Sequence, residues 1–379
     1  MYTLNHWHEG IEAISYALNL SVGTIRNYGR ELNLGLPPRV RPDVGDAVVE
    51  EVKERTQKRE AKYAKKRDRL LLRRIAELEA ERETILHLQG HSPNSIELTK
   101  KEVNGKGEGI ANALLSDYHL EEQVNPKEVE GLNRYNLEVS EDRLDEFFRA
   151  VLRFVEIEQQ STNINKLVLW MLGDNISGWL HEELISTTLL EPTEAIVVAR
   201  DRLKRGIDFL LQNSALDLTI PCVVGNHGRM TQKAGHATEN GNSLEFILYH
   251  FLKSDFEHEP RVTFVIPDSG FAFVDEFGFV IRGSHGHRVR YQGGILGIGV
   301  PASKKLAQWN KLKWADLDVF GHHHTAQDGE NFVANGSIIG YNSYAYKSGF
   351  SFQPPEQKFF VVHSKWKRRI LSRSIFFSQ

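Results

Sequence analysis

Five short polar motifs, each at the end of an apolar run, constrain this chain more than any other feature. They read "IANALLSDYH", "KLVLWMLGDNISG", "LTIPCVVGNHG", "FVIRGSHGH" and "LDVFGHHHT". In order they deliver Asp117 and His119, then Gly173 and Asp174, then Asn226 and His227, then His285 and His287, and finally His322, His323 and His324. Short β-rich apolar runs that stop at polar residues, alternating with helical patterns, describe an α/β chain. Its strands would present their carboxyl ends to one cleft, where neighbouring loops can converge. Singly, each motif has an ordinary explanation: Asp117 as a turn or capping residue, Asn226 as a turn former, His285 and His287 as surface histidines beside Gly286. Together the five are not explained that way.

The residue types suit two divalent cations. A carboxylate can bridge two ions, an imidazole supplies a neutral nitrogen, and an Asn side chain supplies a neutral oxygen. Asp117 with His119, and His322 with His324, stand two apart, so an extended backbone would aim both members of each pair one way and His323 the other. Two cations about 3.5–4 Å apart can activate water and neutralise charge on a phosphoryl group during in-line displacement. The divalent ions open to a His, Asp and Asn set are manganese, zinc and iron.

The ordered set D-x-H, GD, GNH, HGH and GH-x-H resembles the calcineurin-like metallophosphoesterase superfamily over roughly residues 108–379. Within it, the chain is similar to the metal-dependent DNA nucleases of double-strand-break repair, and closer to phage-encoded members with an N-terminal DNA-binding segment. The resemblance implies a four-layer α/β/β/α sandwich of two mixed sheets flanked by helices, and hydrolysis of DNA phosphodiesters. Asp117, His119 and His324 would bind a first ion, Asn226, His285 and His322 a second, and Asp174 would bridge them. Manganese is the ion a nuclease of this kind implies. His227 would serve as general acid or as donor to the phosphate. The chain departs from the family where Gly228 follows His227, since relatives often carry Asp or Glu there to orient the imidazole. Asn175, after the GD motif, is read as lining the pocket outside the metal sphere, and His287 and His323 as bystanders.

Two further zones precede this region. In residues 1–40, "GIEAISYALNLSVGTIRNYGRELNL" has the spacing of a helix, a tight turn at Asn19 to Ser21, and a second helix capped by Ser21. Ala17 is small enough for the two helices to cross closely. The stretch resembles a helix-turn-helix, whose second helix would bring Ser21, Thr24, Arg26, Asn27 and Arg30 to phosphates and base edges. Residues 41–107 form a basic helical linker. Between Lys53 and Arg74, eleven Lys or Arg residues, among them Lys62, Lys65 and Lys66, face three acids, a local surplus of +8 in a chain of net charge −3. Such a rod can track a phosphate backbone, or be merely a solvated face, and it can pair two copies into a homodimer. Arg229 and Lys233, just past the third motif, and Asn133 and Arg134, past the first, are further candidates for touching DNA.

Cys222 is the one cysteine, which excludes an internal disulfide and suits a reducing, cytoplasmic setting, the host's if the gene is a phage's. The opening "MYTLNHWHEG" lacks the basic and apolar regions of a secretory leader, and no apolar stretch is long enough to span a bilayer. Two alternatives share these motifs. A phosphomonoesterase or protein phosphatase would use the same two-metal core, and a DNA-binding regulator would keep a centre that does not catalyse.

Overall fold

The computed structural model describes residues 11–32, 34, 107–180, 182–231, 235, 238–290 and 297–378. The chain divides into two compact units, Met1–Lys101 and Glu102–Gln379. In the first, helices α1 (Ile11–Leu18) and α2 (Val22–Glu31) bury Ile14 and Ile25 completely. Asn19 makes the turn between them with φ 51°, a conformation Asn tolerates better than most residues. Ser21 caps α2 by accepting the Thr24 N–H at 3.1 Å, and the two hydroxyls lie 2.7 Å apart. Ser21 and Thr24 are therefore engaged in the cap, while Arg26, Asn27 and Arg30 are exposed. The small buried residue is Gly29 rather than Ala17, which faces solvent. Lys62, Lys65, Lys66, Lys233 and the linker expected to pair two copies lie outside the described residues. Among the described residues no helix is long and apolar enough to cross a membrane.

The second unit holds two mixed sheets. The first contains β1 (Glu108–Leu115), β2 (Asn163–Met171), β3 (Asp217–Pro221), β4 (Val262–Val265), β10 (Glu356–His363) and β11 (Arg368–Phe376), ordered β11-β10-β1-β2-β3-β4. Strands β1 to β4 run parallel, and β10 returns antiparallel beside β1. The second contains β5 (Ala272–Glu276), β6 (Phe279–Ser284), β7 (Leu317–Phe320), β8 (Gln327–Asp328) and β9 (Phe332–Ala334), ordered β5-β6-β7-β9-β8, with β6, β7 and β9 parallel.

Strand alternation sorts the apolar residues into layers. In β2, Leu167, Leu169 and Met171 face the helices, whereas Val168 and Trp170 face the other sheet. The helical side comprises α3 (Leu137–Glu158), α5 (Pro192–Asn213) and α6 (Leu244–Asp255), and the short α4 (Glu182–Thr187) precedes α5 in the chain. Helix α3 presents the predicted stripe of Leu144, Phe147, Phe148, Val151, Leu152 and Val155. It crosses α5 at Gly206, where a Cβ would stand 1.9 Å from the Phe148 ring. On the far side, α7 (Gly299–Asn310) buries Ala302 and Leu306 against Phe320, Phe332 and Ala334 of the second sheet. The order helix, sheet, sheet, helix is the expected four-layer sandwich.

Between the sheets, the wholly buried Trp170 donates to Asn112 Oδ1 at 2.8 Å, and Asn112 donates to Glu276 Oε2 at 3.0 Å. Burial pushes the Glu276 carboxyl up to about 8, so a neutral acid joins the two sheets at neutral pH without an unpaired buried charge. The carboxyl ends of β1, β2, β3, β6 and β7 carry the five motifs.

Candidate metal centre

Strand β1 ends at Leu115, and the chain then turns sharply. Asp117 N–H donates to Gly173 O at 3.0 Å, and the N–H groups of Tyr118 and His119 donate to Asp174 O at 2.8 and 3.1 Å. The first and second motifs are thus sewn together through backbone. Asp117, His119, His322 and His324 have φ of 52°, 47°, 71° and 49°. The pairs two apart therefore do not converge through extended backbone, as the spacing alone suggested. Left-handed turns past the strand ends bring them together, a conformation for which Asp and His are enriched among non-glycine residues.

Glycines give the two carboxylates room. A Cβ on Gly225 would stand 2.0 Å from Asp174 Oδ1, and one on Gly321 would stand 2.4 Å from Asp117 Oδ2. Asp117 accepts the His322 N–H (2.9 Å at Oδ2) and the Ser116 hydroxyl (2.6 Å). Asp174 Oδ1 accepts the His227 N–H at 2.8 Å.

Three overlapping groups of ligand atoms result, each within 4.8 Å: Asp117, His119 and His324; His119, Asp174 and His227; Asp174, His285 and His322. Asn226 joins the third, its Oδ1 3.0 Å from His285 Nε2, which is itself 2.9 Å from Asp174 Oδ2. All eight residues named from the sequence as metal or catalytic candidates thus meet in one place, with Asp174 between the halves.

The chemistry of this set fits divalent cations. His119 Nε2 is buried without a hydrogen-bond partner, an arrangement that is costly unless something positive approaches, and Asp174 Oδ2 faces His285 Nε2 at 2.9 Å. Burial, then the charge of His227, brings the His119 pKa down to about 3, and burial with His285 holds His322 well below its ordinary range. Both imidazoles are neutral and offer lone pairs. Burial opposes ionisation of Asp117, yet the hydrogen bond and charge of His324 outweigh it and bring the pKa down to about 2. Burial would likewise discharge His285, but Asp174 raises it to about 10. Asp117 likewise raises His324, which lies 3.3 Å from it.

The Gly228 departure has a structural reason. A Cβ there would stand 2.8 Å from Glu245 Cγ, so a carboxylate from helix α6 fills the space that a residue at 228 would need. Glu245 does not orient His227, however. It accepts from Asn175 N (2.5 Å), Asn175 Nδ2 (2.8 Å) and Gly225 N (2.6 Å), and His227 Nδ1 instead bonds Ser177 O at 2.9 Å. Asn175, read as lining the pocket, is buried in this network and also donates to Tyr249 Oη at 2.9 Å. Asn133 is buried too, donating to Ile339 O and Tyr341 O and accepting from Arg143, and is not placed for a phosphate. Arg134 is exposed. Arg229 donates to the carbonyls of Thr231 (3.0 Å) and Asn226 (3.4 Å). Ser177, Glu122 and Glu245 were not singled out from sequence, because their partners lie at distant chain positions.

His323 stands outside the three groups, its ring edge-on to Phe320. His287, two residues past His285, pairs with Glu239 at 2.8 Å, and Arg288 bonds the other oxygen of that carboxylate. Burial opposes the charge on Glu239, but His287 and Arg288 bring its pKa down to about 2, below the ordinary 4.5. Between those values the unfolded chain binds more protons than the folded one, so the stabilisation is complete above about 4.5 and fades as pH falls toward 2. Glu239→Gln is expected to lower stability by a constant amount above pH 4.5 and by less as pH falls below it. Urea melts of both proteins from pH 3 to 7 check this, and a pH-independent difference would refute it.

No family model matches the chain, and no curated protein does. Among solved structures, a partial likeness is found to a novel archaeal phosphodiesterase (12% identity, 70% of this chain and 99% of that one, TM-score 0.31). Others are a dimetal phosphatase from Danio rerio (12%, 71% and 99%, TM-score 0.33) and Vps29 from Entamoeba histolytica complexed with zinc (11%, 70% and 99%, TM-score 0.26).

Proposed function

We propose that this chain is a calcineurin-like metallophosphoesterase that hydrolyses phosphodiester bonds in DNA. The observation that carries the reading is the convergence of Asp117, His119, Asp174, Asn226, His285, His322 and His324 from five strand ends, with His119 Nε2 buried among them without a hydrogen-bond partner. Asp117, His119 and His324 would hold one divalent cation, Asn226, His285 and His322 another, and Asp174 both. Bound there, manganese or a similar ion supplies electrophilic activation of the phosphoryl group and acidifies water. The protein's own share is orientation and proton transfer. His227 holds Nδ1 against Ser177 O and offers a ring nitrogen to the group with Asp174 and His119. From there an Nε2–H can bond a phosphoryl oxygen or pass its proton to the leaving oxygen. Delivery to DNA falls to the first unit and the linker, supported by the exposed Arg26, Asn27 and Arg30 and by the basic run through Lys62, Lys65 and Lys66. Phosphate contacts there would give binding that weakens steeply with salt.

The test is manganese-dependent cleavage of single- and double-stranded DNA beside hydrolysis of p-nitrophenyl phosphate. Intact DNA with brisk monoester hydrolysis would make the protein a phosphatase. Salt-sensitive DNA binding with no hydrolysis of either would make it a DNA-binding protein with a non-catalytic centre. Within the active enzyme, His323→Ala should leave the rate within a few-fold of wild type, while alanine at His322 or His324 should lower both ion occupancy and rate. Equal losses at all three positions would refute the assignment.

A further inference from the structure

We propose that Ser177 is the positioning residue of this centre, its hydroxyl setting the tautomer of His119 and its carbonyl that of His227. The proposal rests on the metallophosphoesterase reading for its purpose and on hydrogen-bond geometry for its content. Ser177 Oγ lies 2.9 Å from Glu122 Oε2 and 2.9 Å from His119 Nδ1. A hydroxyl has one proton to give, so its direction decides where the His119 proton sits.

Glu122 determines that direction. Its other oxygen, Oε1, accepts from Asn342 Nδ2 at 2.9 Å. The Asn342 amide cannot turn over, because its Oδ1 caps α8 (Ser343–Lys347) by accepting the Ala345 N–H at 3.0 Å. Both Glu122 oxygens are acceptors, so the Ser177 proton points to Glu122 and Oγ must accept from His119 Nδ1–H. The His119 Nε2 lone pair is then bare, and that atom is buried without a hydrogen-bond partner, on a ring that offers a nitrogen to the groups with Asp117, Asp174 and His324. Such outer partners of a ligating imidazole orient the ring and raise its basicity.

The same residue serves the second imidazole. Its carbonyl, which can only accept, lies 2.9 Å from His227 Nδ1 and so places a proton there. The backbone around Ser177 is fixed independently of its side chain, since Glu121 Oε1 accepts from Ser177 N and Gly178 N, both at 2.8 Å. Removing the hydroxyl should therefore leave the carbonyl, and His227, in place.

Glu122→Gln is the decisive variant. Asn342 Nδ2 demands an oxygen, so the new amide NH2 must face Ser177. The hydroxyl would then accept from Gln and donate to His119 Nδ1, moving the His119 proton to Nε2. The contacts among Asn342, residue 122, Ser177 and His119 Nδ1 all stay hydrogen-bonded, so a merely structural role predicts no change of tautomer or affinity. Two-bond 1H–15N spectra of histidine-labelled, metal-free protein, with His119 assigned by His119→Gln, read the tautomer directly. Wild type should show Nδ1–H, and Glu122→Gln should show Nε2–H. Calorimetric titration with Mn2+ should show the first ion bound about 10–100-fold more weakly in Glu122→Gln and in Ser177→Ala, with melting temperatures within a few degrees of wild type. An Nε2–H signal in wild type, or a Glu122→Gln protein matching wild type in both tautomer and affinity, would overturn the proposal. A wild type that takes up no Mn2+ or hydrolyses no ester would instead sink the metallophosphoesterase reading, and the spectra would still decide for or against the relay.

Discussion

Replacing Asp174 with Asn is expected to lower ester hydrolysis by about 10^3-fold or more while the protein remains folded. The estimate follows from the several kcal/mol of charge stabilisation that a two-ion site supplies, at 1.36 kcal/mol per tenfold in rate. Asp174 stands in two of the three ligand groups, so its loss disturbs both halves of the centre at once. The fold should tolerate the change, since an Asn carbonyl in place of Oδ1 can still accept the His227 N–H now bonded at 2.8 Å. The amide nitrogen would then face His285 Nε2, where Oδ2 now sits at 2.9 Å, and a donor cannot serve as ligand. Steady-state rates with Mn2+, ion titration and a DNA-binding isotherm separate the outcomes. Lost activity with retained DNA binding fits a catalytic centre. Lost DNA binding would mean that the centre serves to hold the structure together.

The second large effect concerns stability. Arg282 in β6 and Asp318 in β7 face each other in register and form a two-pronged ion pair at 2.6 and 2.9 Å, with side chains 2% and 3% exposed. Arg282 also donates to Lys313 O and Asn310 Oδ1 and lies over the Trp309 ring, so it ties both strands to α7. Arg282→Ala should cost about 3–5 kcal/mol by leaving a buried carboxylate uncompensated, which for a domain of this size is a fall in Tm of roughly 6–20 °C. Burial already holds the Asp318 carboxyl above its ordinary value despite Arg282. Without the arginine, protonation relieves the unpaired charge, so the deficit should shrink as pH falls. Replacing both residues, as in Arg282→Met with Asp318→Leu, should recover most of the loss. Thermal melts of both variants and of wild type at pH 5 and pH 8 check both statements. A double variant as unstable as the single one would show that the pair's hydrogen bonds to α7, rather than its charges, matter.

Much of the centre was legible because its residues are short-range signals. An apolar run that ends in Asp, Asn or His marks a strand end, and five of them in order mark strands that converge. Helix α3 was legible for the same reason, since Leu144 through Val155 repeat at helical spacing. What holds the ligands was not. Ser177 meets Glu122 and His119 across 55 and 58 residues, and Glu239 meets the neighbour of His287 across 49. The first of those meetings follows from strand order, in which β2 lies parallel beside β1, and no local pattern encodes it. The extended geometry first assigned to Asp117 and His119 failed for a related reason. Period-two reasoning holds inside a strand, and both residues lie just past the end of one. Gly228 looked like a loss of chemistry and is the consequence of a carboxylate arriving from α6.

The left-handed backbone at the centre has a kinetic consequence. Asp117, His119, Asp174, His322 and His324 all have positive φ, and each such residue costs up to about 1–2 kcal/mol. The total, of order 5–10 kcal/mol, is comparable with the entire stability of an ordinary domain. Bonds within the chain fix these turns, among them Asp117 N–H to Gly173 O and His119 N–H to Asp174 O. Capture of an ion then requires no main-chain rearrangement, so loading should run at the pace at which the hydrated cation sheds water, and nickel should enter far more slowly than manganese for reasons that lie in the ions themselves.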